Sequence, residues 1–215
     1  MKTAVIAGTP VDTEMGVNYL AKKDPLIEAV SLPLKSCPRE CHLFQLKEYS
    51  YKMDAMTDIV SKAKVDGTDN VFVYCNSLSS SLDFEKIASA VGIKIVTPGN
   101  AYEKFASLYS TIGVIAANNQ STRWIENIFT AGNPAGYVLG AGNLKLVEAV
   151  EKKHSPDEIV QKFALRNMTD YFAASGAEAV VLGCTHFPYF MDALQQVCPL
   201  PVIDPADIMY DELIE

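Results

Sequence analysis

The fold class expected from the amino-acid sequence is α/β, in two pseudo-symmetric domains that each carry a mostly parallel sheet. Three observations predict it. Short β-branched runs alternate with longer helical segments, the spacing leaves room for crossover helices, and one strand–helix–strand unit occurs twice. Strands are expected at Thr3–Ala7, Ala29–Leu32, Val71–Tyr74, Lys94–Val96, Ile112–Ala116, Ala179–Leu182 and Val202–Ile203. Most are Val/Ile/Ala-rich, the composition of strands covered on both faces. Helical periodicity fills Gln45–Lys64, Leu82–Val91, Thr122–Phe129 and Pro156–Ala174. Ser155, Pro156 and Glu158 supply an N-cap, a first-turn proline and a capping-box acid for the last of these. Strands joined through helices are joined by crossovers and are therefore parallel. Such sheets hold ligands at the carboxyl ends of their strands. The glycine-rich Gly140–Asn143 lacks the spacing of a phosphate loop and reads as a turn. Tyr49, Tyr51 and Trp124 read as helix packing, and His154 as an exposed residue before a helix start.

The totals exclude several function classes. A chain of 215 residues, 49% hydrophobic, can bury one large or two small cores. A net charge of −8 without basic clusters argues against nucleic acid and against an anionic membrane surface. The close basic pairs Lys22-Lys23 and Lys152-Lys153 read as solvated helix ends. No apolar run approaches the roughly 20 residues that span a bilayer. The apolar run after Lys2 is too short for a signal peptide and reads as a first strand, so the expected compartment is the cytoplasm. There the five cysteines are expected as free thiols. Cys37, Cys41 and His42 would make half of a metal site, but the sequence offers no second half, so no metal is expected.

The informative feature is the internal repeat. VFVYCNSLSSSLDFEKIASAVGIKIVTP begins at Val71, and AVVLGCTHFPYFMDALQQVCPLPVIDP begins at Ala179. Each runs from a buried strand to a cysteine with polar neighbours, then through a helix to a short strand closed by proline. Cys75 and Cys184 hold the same place in the two copies, about half the chain apart. A thiol at the junction of strand and helix meets backbone N–H groups that favour thiolate and can hold a carboxylate. A single buried cysteine is usually packing, as Cys198 at an apolar helix end is expected to be. Two in matching repeats, one followed by Asn76 and Ser77 and the other by Thr185 and His186, point to chemistry instead. The domains are expected at residues 1–97 and 98–203, with a C-terminal helix over 204–215 packing back on the first.

GCTHFP at Gly183–Pro188 resembles the G-C-T-H-Y-P signature of glutamate racemases, and Cys75-Asn76-Ser77 resembles their C-N-T motif. IGVIAANNQSTRW resembles the family's G-V-I-A-T segment. The similarity to the aspartate/glutamate racemase family runs over most of the chain, with GCTHFP its most specific part. It implies an active site in the cleft between two pseudo-symmetric domains and an isomerase that needs no pyridoxal phosphate, other cofactor or metal. It implies that Cys75 and Cys184 remove and return the α-proton on opposite faces of an acidic amino acid, L or D, with His186 assisting Cys184. Asn76, Ser77 and Thr185 would bind the amino and carboxyl groups. A small-molecule amino acid or dicarboxylate is the expected partner, and the family implies a homodimer.

The chain departs from that pattern in places. The D-S-G-x-G-G loop of glutamate racemases is replaced by Gly8–Gly16; Asp12 and Thr13 stand for Asp-Ser with Gly16 as a turn glycine, or Thr9 fills the strand end. Ala117 stands where the family has threonine, leaving Asn118, Ser121 and Thr122 as candidates. Pro38-Arg39 resembles an aspartate-racemase feature, an arginine suited to a bidentate side-chain carboxylate. Maleate isomerases and hydantoin racemases of the same superfamily remain alternatives. So do a non-catalytic binding protein and a redox sensor closing Cys75 on Cys184.

Overall fold

The computed structural model describes residues 1–215. The chain divides into two compact units, Met1–Pro98 with Met209–Glu215, and Gly99–Ile208. The first contains β1 (Lys2–Ala7), α1 (Pro10–Lys23), β2 (Glu28–Pro33), α2 (Pro38–Gln45), α3 (Tyr49–Val65), β3 (Asn70–Val73), α4 (Asn76–Ser79), α5 (Phe84–Val91) and β4 (Lys94–Val96). The second contains α6 (Gly99–Leu108), β5 (Thr111–Ala116), α7 (Asn119–Gly132), β6 (Tyr137–Gly142), α8 (Leu144–Glu151), α9 (Pro156–Lys162), α10 (Leu165–Ala174), β7 (Ala179–Gly183), a 3₁₀ turn at Phe187–Phe190, α11 (Met191–Gln195) and β8 (Val202–Ile203). The last helix, α12 (Ala206–Ile214), ends within the first unit, where the Lys94 ammonium donates to the Glu212 carbonyl at 2.5 Å.

Each unit holds one four-stranded, wholly parallel sheet, in the orders β2-β1-β3-β4 and β6-β5-β7-β8. The orders are the same once β5 is set against β1. The alternation in β5 shows why both faces are apolar. Ile112, Val114 and Ala116 face the helix side built from Tyr102, Phe105, Ile125 and Phe129. Ile115 and Ala117 face the opposite cluster around Leu146, Ile159, Phe172 and Phe187. A wholly buried phenylalanine such as Phe129 contributes roughly 2–3 kcal/mol.

The structure corrects several sequence expectations. Gly140–Gly142 is no turn but the end of strand β6. A side chain at Gly142 would sit 2.3 Å from the Asn118 carbonyl carbon, so the glycine marks a close approach of two backbones. Asp12–Gly16 is helical, within α1, and Gly16 packs on Tyr74 and Val5 rather than turning the chain. The segment expected as one helix over Gln45–Lys64 is two, α2 ending at Gln45 and α3 starting at Tyr49. The buried Lys52 donates to the Gln45 carbonyl at 2.8 Å, capping a helix end that no proline or glycine announced. Pro156–Ala174 also breaks, where Ala164 takes a left-handed conformation at φ 51. The Ser155–Glu158 capping box that starts α9 is present. Tyr49 is mostly exposed instead of packed; Tyr51, though also largely exposed, sets its ring against Phe44 of α2 at 6.3 Å, and Trp124 stands edge-on to Tyr102 at 5.7 Å. His154 is half-buried rather than exposed. No helix is long and apolar enough to cross a membrane.

Candidate active site

In the first unit the chain leaves β1 toward β2 and leaves β3 toward β4, so the carboxyl ends of β1 and β3 flank the switch point of the sheet. Thr9 caps α1 there. The Asp12 carboxylate accepts from the Thr9 N–H at 2.7 Å, the Thr9 hydroxyl at 2.9 Å and the Gly8 N–H at 3.2 Å. Asp12 is 1% exposed, and these three donors hold it in one orientation. The Thr13 hydroxyl is committed to the Thr9 carbonyl at 2.6 Å.

Cys75 follows β3. Its sulfur lies 3.6 Å from the Ser77 hydroxyl. Gln45, four residues beyond Cys41 on α2, donates one amide hydrogen to Ser77 Oγ at 2.8 Å and points another at Cys41 Sγ, 3.2 Å away. The Cys41 hydrogen bond holds the Cys75 thiol below its ordinary range. Burial and the Asp12 charge oppose that shift, and Ser77 with the Leu78 N–H reinforce it. Cys41 is pushed far up by its bond to Cys75, then by burial and the charges of Cys75 and Asp12. Of the two, Cys75 is the thiol held low and Cys41 the one held high.

In the second unit the ends of β5 and β7 flank the equivalent switch point. Asn118 caps α7, its side-chain oxygen accepting from Ser121 N–H at 2.8 Å and Ser121 Oγ at 3.0 Å. A side chain at Gly183 would meet Ile125 and Val114 at 2.9 Å, so only glycine lets β7 reach Cys184 in this packing. His186 Nδ1 is 3.8 Å from Cys184 Sγ, and its Nε2 is 2.9 Å from Glu151 Oε1 at the end of α8. A carboxylate at Nε2 draws a proton there, leaving Nδ1 to exchange a proton with the thiol. His186 is 3% exposed, so little water competes for either bond. The Thr185 hydroxyl is buried beside Cys184 and has no hydrogen-bond partner. Tyr102 is wholly buried, and burial, then the Asp204 and Cys184 charges, hold its phenol protonated well above the ordinary range.

Of the residues named from sequence, Thr9, Asp12, Thr13, Asn76, Ser77 and Cys75 lie together at the first switch point, all buried. Cys184, Thr185 and His186 lie at the second, with Asn118. Thr122 spends its hydroxyl on the Asn119 carbonyl at 2.8 Å and lays its carbon atoms over Gly140. Arg39 is exposed in the first turn of α2. Cys198 is buried in the apolar core. Cys41, Gln45, Glu151 and Tyr102 were not legible as site residues. The i, i+4 spacing of Cys41 and Gln45 was a usable signal, but nothing local marks Glu151. No group of three His, Cys, Asp or Glu side chains is arranged to hold a metal ion.

Residues 19–213 match the family described as Asp/Glu/Hydantoin racemase. The chain belongs to this family. Glutamate racemase of Glaesserella parasuis is 27% identical over 134 residues, 61% of this chain and 50% of that one. Glutamate racemase of Haemophilus ducreyi is 28% identical over 163 residues, 74% of this chain and 61% of that one. The aligned part therefore spans only half to three-fifths of those racemases. Among solved structures, Escherichia coli glutamate racemase, in complex with L-glutamate and an activator, superposes with a TM-score of 0.76 at 16% identity, covering 99% of this chain and 80% of that one. At that identity the superposition speaks for the fold alone, and the family's two-domain parallel α/β architecture is the one found here.

Proposed function

We propose that this racemase-family protein interconverts the L and D forms of an acidic amino acid, aspartate or glutamate, by two-thiol proton transfer without a cofactor. The observation that carries the reading is a buried thiol at the switch point of each sheet, with the Ser77 hydroxyl beside Cys75 and His186, backed by Glu151, beside Cys184. One thiolate takes the α-proton and leaves a carbanion delocalised into the substrate carboxylate. The other thiol then protonates the opposite face. The thiols end with their protonation exchanged, ready for the enantiomer. The unpartnered Thr185 hydroxyl and the Asn76 side chain are the proposed substrate-binding groups, and Arg39 the proposed partner for a side-chain carboxylate.

The test is α-proton exchange in D2O, followed by NMR for L- and D-aspartate and L- and D-glutamate without added cofactor. Deuterium incorporation with inversion, abolished in Cys75→Ser and in Cys184→Ser, is expected for one amino acid. Absence of exchange with all four would sink the acidic-amino-acid reading and move the assay to hydantoins.

A further inference from the structure

The two-thiol scheme gives no role to Gln45, a neutral amide that is only 3% exposed at the end of α2. Burying an amide costs free energy unless its polar atoms find partners. Gln45 is held from both ends. Its backbone carbonyl accepts from the Lys52 ammonium of α3 at 2.8 Å, and its side-chain nitrogen donates to Ser77 Oγ of α4 at 2.8 Å. The second hydrogen on that nitrogen points at Cys41 Sγ, 3.2 Å away. The direction of the Ser77 bond fixes the next one. A serine hydroxyl has one hydrogen to give and two lone pairs to accept with, whereas an amide N–H only donates. Ser77 Oγ therefore accepts from Gln45 and keeps its own hydrogen. The other side-chain partner of that hydroxyl is Cys75 Sγ, 3.6 Å away, so the hydrogen is left for the sulfur. A hydroxyl that donates to sulfur favours thiolate, and one that accepts from S–H favours thiol.

We propose that Gln45 is a positioning residue for Cys75: its amide N–H occupies a lone pair of Ser77 Oγ and so aims the Ser77 hydroxyl hydrogen at the Cys75 sulfur. The relay runs from α2 through α4 within the first unit and needs no substrate to form. It rests on the racemase reading only for its purpose, which is to keep a Cys75 thiolate available for an α-proton. The two reacting thiols are then tuned by different devices, Cys75 by a hydroxyl aimed by an amide, Cys184 by an imidazole backed with a carboxylate. The other titratable groups whose charge bears on Cys75 are Cys41 of α2 and Asp12 of α1, and both are kept in every variant of the test.

The experiment is pulsed alkylation with iodoacetamide from pH 5 to 10, read by mass spectrometry of the Cys75 and Cys184 peptides, without substrate. It compares the unaltered protein with Gln45→Met, Ser77→Ala and the double variant; methionine keeps the length of glutamine and has no N–H to donate. Ser77→Ala is expected to slow Cys75 labelling at pH 7 by about tenfold and to move its curve up by about one pH unit, the size of a lost bond to a charged group. Gln45→Met frees the hydroxyl to turn away and is expected to slow labelling by about threefold. In the Ser77→Ala background the same change is expected to do nothing further, because effects that pass through one group do not add. Cys184 labelling stays unchanged throughout as the internal control. An unmoved Cys75 curve in Gln45→Met would overturn the proposal. So would an equal further loss in the double variant, since Gln45 would then act without Ser77. Should Gln45→Met fail to fold, Gln45→Glu keeps the shape and reverses the polarity. Its carboxylate accepts the Ser77 hydrogen, so the slowing it causes must be larger than in the Ser77→Ala background, and equal slowing would overturn the relay. Curves that shift as expected in a protein that exchanges no amino acid uphold the relay and dismiss the racemase reading separately.

Discussion

Glu151→Gln isolates one charge in the Cys184 half of the site. The carboxylate accepts from His186 Nε2 at 2.9 Å, with the imidazole 4% and the carboxylate 16% exposed. Glutamine keeps the shape and can still accept that hydrogen, so what is lost is the charge. A hydrogen bond to a charged group contributes about 1.5–3 kcal/mol and a neutral one about 0.5–1.5. The difference, about 1–1.5 kcal/mol, corresponds to roughly tenfold in rate, at 1.36 kcal/mol per decade. Enantiomers are equal in free energy, so kcat/KM must fall by the same factor in both directions. The assay is circular dichroism of the racemising amino acid, started from each enantiomer. Alkylation of Cys184 in the free protein is expected to slow while that of Cys75 does not. A change below twofold in both measurements would refute the argument that Glu151 acts on the thiol through His186. Glu151→Ala is expected to do more harm, because it leaves a buried imidazole N–H unpaired, costing about 1–3 kcal/mol of stability as well.

Other expectations follow from the same geometry. Thr185→Val removes a buried hydroxyl that has no partner, so denaturant stability is expected to hold or rise by up to about 1 kcal/mol while KM rises about tenfold; an unchanged KM would remove Thr185 from the substrate contacts. Gly142→Ala forces the Asn118–Asn119 backbone to yield from a 2.3 Å approach and disturbs the Asn118 cap of α7. Overpacking and a weakened cap together cost about 2–4 kcal/mol, and a urea midpoint giving under 1 kcal/mol would contradict the close approach. Thiol ionisation adds a pH dependence whose sign can be worked out. Cys75 is lowered in the folded state, so above its folded titration and up to the ordinary thiol range near 8.5 the unfolded chain holds more protons, and stability rises with pH. Cys41 is raised, so above that range the folded protein holds the extra proton and stability falls. Denaturant midpoints from pH 6 to 10 are therefore expected to pass through a maximum that flattens in Cys41→Ala; an unchanged profile in that variant would count against the paired titration.

The sequence by itself determined the α/β class, seven of the eight strands and the places of Cys75 and Cys184. Those features are written locally: a buried parallel strand has a composition, and the repeat set both cysteines at the same junction. The eighth strand escaped because β6 carries glycines that read locally as a turn. Their reason lies across the sheet, in the side chain of Thr122 and the backbone at Asn118. The breaks after Gln45 and at Ala164 escaped likewise, since a lysine seven residues on and a left-handed alanine leave no breaker in the sequence. Only the tertiary structure decided what surrounds each thiol. Gln45 reaches Ser77, beside Cys75, because α2 packs beside α4, and Glu151 reaches His186 across 35 residues of chain. Proton-handling depends on contacts of a few ångströms, and sequence distance does not constrain those once the chain has crossed over and returned.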